Sequence, residues 1–334
     1  MLTRLRGALD PFIVSLMAMV ALASVLPARG EFAVLADQIA NAGIVLLFFL
    51  HGAKLSREAI ASGAGNWRLH LAVLAMTFGV FPLLGIGIGA IPGVPPLVAT
   101  GMLFLALLPS TVQSSIAFTS IAGGNVAAAV CSASFSNLIG MVLTPLLAAL
   151  LIGSASGGGA GPWGVDLAAV EKILAQLLLP FVAGHLLRPW IGDFVGRNRR
   201  LTVLVDRGSI LLVVYTAFGA AVVEGLWGQL PLTSLALIVA LCCLLLGVVL
   251  ALTWLWGRAF DRPDAIVLLF CGSKKSLASG VPIARVLFPA AQVGALILPL
   301  MLFHQIQLIA CAVIARALAR GAQVAPGTGS AASR

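Results

Sequence analysis

A chain of 334 residues with 60% apolar and only 9% charged side chains cannot hide its apolar surface inside a water-soluble fold of this size. Its net charge of +9 invites a nucleic-acid interpretation, but the basic residues are distributed as in the loops of a membrane protein. We therefore expect a polytopic membrane protein that has the lipid bilayer, and no nucleic acid, as a partner.

Ten apolar stretches near the length of a membrane-spanning helix follow one another, separated by short polar or Gly/Pro-containing breaks. The predicted spans are 11–26, 35–50, 69–91, 97–122, 126–152, 167–187, 201–223, 230–256, 265–288 and 293–315. With a cytoplasmic N-terminus, fifteen of the twenty Lys and Arg residues fall on the cytoplasmic side and three on the opposite side. This asymmetry predicts an inner (plasma) membrane protein with both termini in the cytoplasm.

Residues 1–27 have an alternative interpretation as a cleaved signal peptide, because Arg4 and Arg6 precede an apolar run. Asp10 and Pro11 interrupt the usual order of such a peptide. Removing this segment would also spoil the alternation of charge between loops. We therefore expect it to be the first transmembrane helix.

A Gly/Ser-rich segment, residues 153–165, follows the fifth span and predicts a flexible non-cytoplasmic linker. It separates two five-span halves, residues 1–152 and 166–318, and a disordered cytoplasmic tail follows at 319–334. Five is an odd number, so a duplicated second half must enter the membrane upside down, as an inverted repeat. Substrates and ions bind near mid-membrane where such repeats meet.

The fourth and ninth spans each begin apolar, break into small polar residues at 109–115 and 272–276, and resume apolar. Each half of the fourth span has about 12 residues or fewer, giving roughly 18 Å, which cannot cross a core of about 30 Å. The breaks therefore lie deep in the bilayer, where free backbone groups must face protein or a water-filled cavity. We expect one shared binding site with the candidate residues Gln113, Ser114, Ser115, Ser273, Lys274, Lys275 and Ser276.

Lys274 and Lys275 would each cost roughly 2.5 to 3.5 kcal/mol or more at a helix centre unless solvated or paired. Alternatively both lie in a cytoplasmic loop and the span starts at Leu277, but the remaining stretch is then too short to cross. We expect at least one ammonium to contact helix-end carbonyls, an anionic substrate, or both. Successive helical residues point about 100° apart, so one lysine could face a cavity while the other extends towards the cytoplasm.

Further polar residues lie on or beside the fifth and tenth spans, next to the predicted breaks. Substrate contact and helix-to-helix hydrogen bonding are both consistent with amides, hydroxyls and imidazoles in these positions. The candidates are Asn125, Ser132, Asn137, His304 and Gln305, and Gln307 is a further amide within the tenth span.

Three stretches resemble the bile acid:sodium symporter superfamily, specifically its divergent bacterial symporter-like branch. They are residues 48–56 (FFLHGAKLS), residues 108–127 with LPSTVQSS and GNVA, and residues 270–278 (FCGSKKSLA). The resemblance covers most of the chain. It implies an all-α fold of ten transmembrane helices, divided into a panel domain and a core domain, with the fourth and ninth helices unwound and crossing in the core.

Members of this superfamily that couple to sodium use polar residues at the fourth-helix break, others on the fifth helix, and a carboxylate with a nearby glutamine on the ninth. By resemblance, Ser114 and Ser115 match the fourth-helix position and Ser132 lies in the region that matches the fifth. The ninth helix differs from the pattern of the sodium-coupled members. Phe270 stands where the carboxylate is expected, and Lys274 lies near the glutamine position. An ammonium there would repel sodium and could substitute for its charge. The coupling ion, Na+ or H+ or none, therefore stays open.

These features predict a secondary active transporter of a small or amphipathic organic anion, working by alternating access, with Lys274 or Lys275 supplying positive charge. The alternative is a non-transporting membrane ligand sensor or accessory protein, against which the absence of a large soluble output domain argues. We do not expect an enzyme, since the spans contain no carboxylate pair or Ser/His/Asp arrangement. The cysteines lack metal-site spacing, so no metal or cofactor besides a coupling ion is predicted.

Overall fold

The computed structural model describes residues 11–54, 65–155, 174–225 and 231–323, and all regular structure in these ranges is helical. Short π turns occur at Met76–Val80 within α3 and at Leu174–Leu178 before α7. The helices are α1 (Pro11–Val25), α2 (Gly30–Lys54), α3 (Trp67–Gly89), α4 (Pro96–Leu107), α5 (Gln113–Ile121), α6 (Val126–Ala155), α7 (Leu179–Arg197), α8 (Arg199–Val223), α9 (Leu232–Gly257), α10 (Arg262–Gly272), α11 (Leu277–Leu287) and α12 (Ala290–Gln323).

Within the described ranges, seven segments are long and apolar enough to cross a membrane: α2, α3, α6, α8, α9, the α10–α11 pair and α12. Helices α1 and α4 are apolar but shorter. Large apolar side chains such as Leu83, Leu204 and Val313 are more than 60% exposed, which suits helices surrounded by lipid. The prediction of an all-helical, multi-pass membrane protein is therefore confirmed.

The ends of two helices differ from the predicted boundaries. Helix α6 continues through Ala155 and α12 through Gln323, past the residues where the linker and the tail were expected to begin. Gly153, Ser154 and Gly321 have a lower helix propensity than alanine, but water cannot replace helical hydrogen bonds near lipid, so the helices persist. The rest of the predicted linker, 156–165, the rest of the tail, 324–334, and the first part of the span at 167–187 lie outside the described residues.

Helices α1, α2, α7 and α8 form one packed group, in which α2 lies along both α7 and α8. Gly52 of α2 and Gly184 of α7 mark the closest approach of their two helices. A Cβ atom on either glycine would overlap a backbone carbonyl of the facing helix, from Phe181 or Phe49. Small residues at such crossings let the backbones meet, so these glycines fix how α2 and α7 pack.

A second group surrounds the short helices α4 and α10. Helix α4 packs against α3, α12 and α6, and α10 packs against α9, α5, α3 and α6. The last residues of both short helices, Leu107 and Gly272, are buried. The free backbone groups at these two helix ends therefore face protein rather than lipid.

Candidate functional site

The first break separates α4, which ends at Leu107, from α5, which begins at Gln113. Leu108 has extended backbone angles, φ −75° and ψ 154°. The ring of Pro109 disfavours a helical conformation of the preceding residue, and proline has no N–H to continue the helix. Pro109 thus ends α4 at Leu107.

The second break separates α10, which ends at Gly272, from α11, which begins at Leu277. Ser276 caps α11, because its side-chain oxygen accepts a hydrogen bond of 3.2 Å from the Ser279 N–H. The Ser276 N–H donates to the carbonyl of Pro109 at 2.9 Å. The two breaks are therefore in direct contact.

Each break supplies hydrogen-bond donors to the helix end in the other break. A helix leaves its last carbonyls without partners inside the helix. At the end of α10, Ser110 Oγ donates to the carbonyl of Cys271 at 2.6 Å and Ser115 Oγ donates to that of Phe270 at 3.1 Å. At the end of α4, the donor is the ammonium of Lys275. The capping is thus reciprocal.

The ammonium of Lys275 is held by backbone oxygens. The side chain is fully buried, and Nζ donates three hydrogen bonds to the carbonyls of Thr77 at 2.8 Å, Ala106 at 2.8 Å and Leu108 at 2.7 Å. The centre of the Phe81 ring lies 4.0 Å from Nζ. The predicted contact between a lysine ammonium and helix-end carbonyls is confirmed for Lys275.

Lys274 is also fully buried, but its surroundings are aromatic. Its Nζ lies 4.1 Å from the centre of the Phe118 ring and 5.2 Å from that of Phe270, within an apolar cluster of α5, α10 and α12. It has no hydrogen-bond partner among the described residues. Cation–π attraction offsets part of the cost of removing the ammonium from water.

Two alternatives for the lysines do not agree with this burial. Neither Lys274 nor Lys275 lies in an exposed loop, and neither ammonium reaches solvent, since both side chains are 0% exposed. The physical reason is that the protein interior accommodates each ammonium: three free carbonyls surround one and two aromatic rings flank the other.

A side-chain amide from α12 holds the backbone of the second break. Gln307 Oε1 accepts from the Lys275 N–H, and Gln307 Nε2 donates to the Lys275 carbonyl, both at 2.9 Å. His304 Nδ1 lies 2.8 Å from Gln307 Nε2 and 3.4 Å from the same carbonyl. The amide atoms of Gln305, in contrast, are buried without a hydrogen-bond partner in the described structure.

Asn137 of α6 connects the first break to the start of α11. Its Nδ2 donates to the carbonyl of Ser110 at 2.7 Å, and its Oδ1 accepts from the Ser279 hydroxyl at 2.9 Å. The neighbouring Ser136 Oγ accepts from the Ser110 N–H at 3.0 Å. One turn of α6 thus contacts the first break and the first turn of α11, and Asn137 serves here in helix-to-helix bonding.

The remaining candidates in the breaks have local roles. The hydroxyls of Ser114 and Ser115 lie 2.8 and 2.9 Å from Thr111 Oγ1, so they form a small hydroxyl cluster at the start of α5. Ser273 Oγ donates to a carbonyl of its own helix at 2.5 Å. Gln113 is exposed.

Two predicted site residues are bonded elsewhere. Ser132 Oγ lies 2.8 Å from His70 Nδ1, which joins α6 to α3. Asn125 Nδ2 donates to Asp264 Oδ1 at 2.9 Å, and Asp264 also accepts from Asn66. Asp264 is in the first turn of α10, eight residues before Gly272 and so roughly 12 Å along the helix from the break. Asn125 is therefore bonded at the opposite end of α10 from the breaks, and a role in binding stays a prediction.

Ser279 and the carbonyls of Thr77, Ala106 and Leu108 contribute to the site but were outside the predicted set. Ser110 lies inside the predicted break at 109–115, and Gln307 was among the polar residues of the tenth span. Gln307 and Gln305 are equivalent amides in the sequence, and only the structure distinguishes them. Thr77 contributes a backbone oxygen, for which no side-chain pattern is informative.

Helices interrupted inside a membrane bundle, with buried charge at the interruption, are typical of membrane transport proteins. The sequence profile of the SBF-like CPA transporter family matches residues 10–320, and the chain belongs to this family of bile acid:sodium symporter-like transporters. The family resemblance found in the three short stretches is thereby confirmed.

Relatives from bacteria and animals extend this comparison. The chain is 53% identical over 312 residues to "Putative symporter YfeH" of Escherichia coli K12, covering 92% of each chain. It is 55% identical over 315 residues to "Uncharacterized protein PA2026" of Pseudomonas aeruginosa, covering 93% of each. It is 26% identical over 275 residues to rat "Sodium/bile acid cotransporter 7", covering 80% of this chain and 78% of the relative.

Proposed function

We propose that this protein is a secondary active transporter that moves a small or amphipathic organic anion across the bacterial inner membrane by alternating access. The observation that carries the proposal is the ammonium of Lys274, which is fully buried beside the two breaks without a hydrogen-bond partner in the described structure. A buried, unpaired charge is costly, and a bound carboxylate or sulfonate would offset that cost. Lys275 is less suited to this role, because all three donors of its ammonium are used.

The enclosure of Lys274 supports alternating access. Its side chain has no exposed surface, so an anion can reach it only when the surrounding helices separate. The two packed groups offer a plane for this motion, with α1, α2, α7 and α8 corresponding to a panel domain and the other helices to a core domain. An ion pair between Asp37 of α2 and Arg285 of α11 joins the groups and would have to break if they move apart.

The reciprocal capping of α4 and α10 supports an architecture of two inverted five-helix halves. In this arrangement residues 1–152 and 166–318 each supply one broken helix, giving ten transmembrane helices with both termini in the cytoplasm. Ser110 and Ser115 of the first half donate hydrogen bonds to the end of α10 in the second half. Lys275 of the second half donates hydrogen bonds to the end of α4 in the first half. The carbonyls at the end of each broken helix are hydrogen-bonded by the other half, so substrate binding at their junction would act on both halves.

The name of the rat relative, a sodium/bile acid cotransporter, supports bile acids and similar amphipathic anions as first candidates for the substrate. Either sodium or protons could drive the transport. We therefore test uptake of radiolabelled taurocholate and succinate by proteoliposomes, with an imposed sodium gradient, pH gradient or neither. The absence of uptake of every organic anion tested by the purified wild-type protein would contradict the proposed function.

The charge of Lys274 is tested by Lys274→Met, which keeps an unbranched side chain and removes the ammonium. We expect uptake to fall at least about tenfold, which corresponds to about 1.4 kcal/mol of lost anion stabilisation. The unfolding midpoint should stay the same or rise, since replacing a buried charge by an apolar group is often neutral or stabilising. Lys54→Met is the matched control, because Lys54 is partly exposed and pairs with Asp206 at 2.5 Å, away from the breaks. Equal uptake by Lys274→Met and wild type would exclude a role for this charge.

A further inference from the structure

Three backbone carbonyl oxygens converge on one point beside the first break. They belong to Thr77, Ala106 and Leu108 and lie 2.7–2.8 Å from Nζ of Lys275. The ion pairs in the described parts of the chain join other residues, so every acceptor of this ammonium is neutral. Proteins that select monovalent cations hold them in the same way, with carbonyl oxygens in place of water.

Two departures from regular helix make these oxygens available. Helix α4 ends at Leu107, which frees the carbonyls of its last turn from helical bonding. Thr77 lies in the π turn Met76–Val80, a rare conformation that occurs frequently at functional sites. The face of the Phe81 ring adds a further group that attracts cations, at 4.0 Å. Helices from two parts of the chain thus build one environment for a single positive charge.

The occupant of this environment is fixed in place. Gln307 binds both backbone groups of Lys275, and the side chain then extends directly to the three oxygens. An ammonium carries the same unit charge as a sodium or potassium ion and offers one N–H to each oxygen. A free ion cannot enter while the ammonium occupies the centre of the cluster.

We propose that the carbonyls of Thr77, Ala106 and Leu108 form a monovalent-cation site that Lys275 fills permanently. The protein therefore keeps a positive charge at this position without binding free sodium or potassium there. The site is distinct from the environment of Lys274, and it exists whether or not the protein transports an organic anion.

The test empties the site with Lys275→Ala and supplies cations from solution. The purified variant and the wild type are unfolded thermally in detergent with chloride salts of sodium, potassium, ethylammonium or choline at equal ionic strength. We expect the midpoint of the variant to rise saturably with sodium, potassium or ethylammonium relative to choline, because a ligand of the folded state stabilises it. The wild type should lack this added response, and a sodium effect of equal size in both proteins would belong to a coupling ion bound elsewhere.

Two controls separate site occupancy from a general salt effect. Lys274→Ala removes the neighbouring lysine, whose ammonium faces aromatic rings, and should show no response to the choice of cation beyond that of the wild type. Lys275→Arg keeps a cationic donor in the cluster and should also show none. If Lys275→Ala does not yield folded protein, Lys275→Gln replaces it under the same salts and criteria.

Two results would overturn the proposal. One is a folded Lys275 variant lacking the charge whose midpoint is identical in all salts. The other is a folded Lys275→Ala protein whose midpoint rises with these cations no more than the wild-type midpoint does. Since the measurement is unfolding and not uptake, a failure of the transport proposal leaves this result interpretable.

Discussion

Gln307 pairs its side-chain amide with both backbone groups of Lys275, through two hydrogen bonds of 2.9 Å. The amide hydrogen-bonds to the N–H and C=O of one residue, as a neighbouring β-strand would. This residue lies between the end of α10 and the start of α11. A buried peptide group without a partner is costly in a membrane protein, because no lipid group can replace the missing bond. Lys275 is thus held at its backbone by Gln307 and at its ammonium by three carbonyls.

Gln307→Ala removes both bonds and should destabilise the second break. Each buried backbone group left without a partner costs about 1–3 kcal/mol, so we expect a clearly lower midpoint in thermal unfolding of the purified protein. Gln305→Ala, two residues away on α12, is the matched control because its amide has no hydrogen-bond partner in the described structure. Similar losses in the two variants would show that the pairing with Lys275 contributes little.

Asn137 and Ser279 should act as a pair. The Ser279 hydroxyl donates to Asn137 Oδ1 at 2.9 Å, which connects α6 to α11. Unfolding free energies of Asn137→Ala, Ser279→Ala and the double variant form a thermodynamic cycle, in which we expect a coupling energy of about 0.5–3 kcal/mol. Asn137→Ala should cost more than Ser279→Ala, since it also frees the Ser110 carbonyl. Additive effects within measurement error would mean that the bond does not contribute to stability.

The ring of Phe118 should matter only when Lys274 carries its ammonium. Phe118→Leu keeps an apolar side chain but removes the aromatic face that lies 4.1 Å from Nζ. We expect a loss of about 0.5–2 kcal/mol in the free energy of unfolding of the wild type. The same substitution in a Lys274→Met background should cost less, and an equal cost in both backgrounds would attribute the effect to packing alone.

Two ion pairs that α2 makes with described residues should differ in their importance. Arg285, the partner of Asp37, has a side chain only 7% exposed, whereas Lys54, the partner of Asp206, is 33% exposed. Asp37→Asn leaves a buried guanidinium unpaired, which is strongly destabilising, while the more exposed Lys54 can regain water after Asp206→Asn. We expect Asp37→Asn to lower the unfolding midpoint more than Asp206→Asn does.

A second variant tests the reason for this difference. In Asp37→Asn/Arg285→Gln the buried charge is absent together with its partner, so much of the lost stability should return. If the double variant is no more stable than Asp37→Asn, the unpaired guanidinium is not the cause of the loss.

Much of the fold could be predicted because lipid leaves the chain few choices. Apolar stretches of spanning length must become helices, so the predicted spans correspond closely to α2, α3, α6, α8, α9 and α12. The breaks could also be located, since Pro109 excludes a helical Leu108 and small polar residues accumulate at 272–276. The contact of a lysine with helix-end carbonyls followed from the cost of burying its charge.

The sequence by itself thus determined an all-helical membrane protein of the symporter-like family, with polar breaks and buried lysines in two of its spans. Only the tertiary structure decided that Lys275 binds carbonyls while Lys274 lies against aromatic rings, that Gln307 rather than Gln305 holds the break, and that Asn125 lies at the far end of α10. The reason is that helix periodicity and transfer energies act on each segment separately. The partner of a buried polar group depends instead on distances and directions between helices, which arise only when the bundle packs.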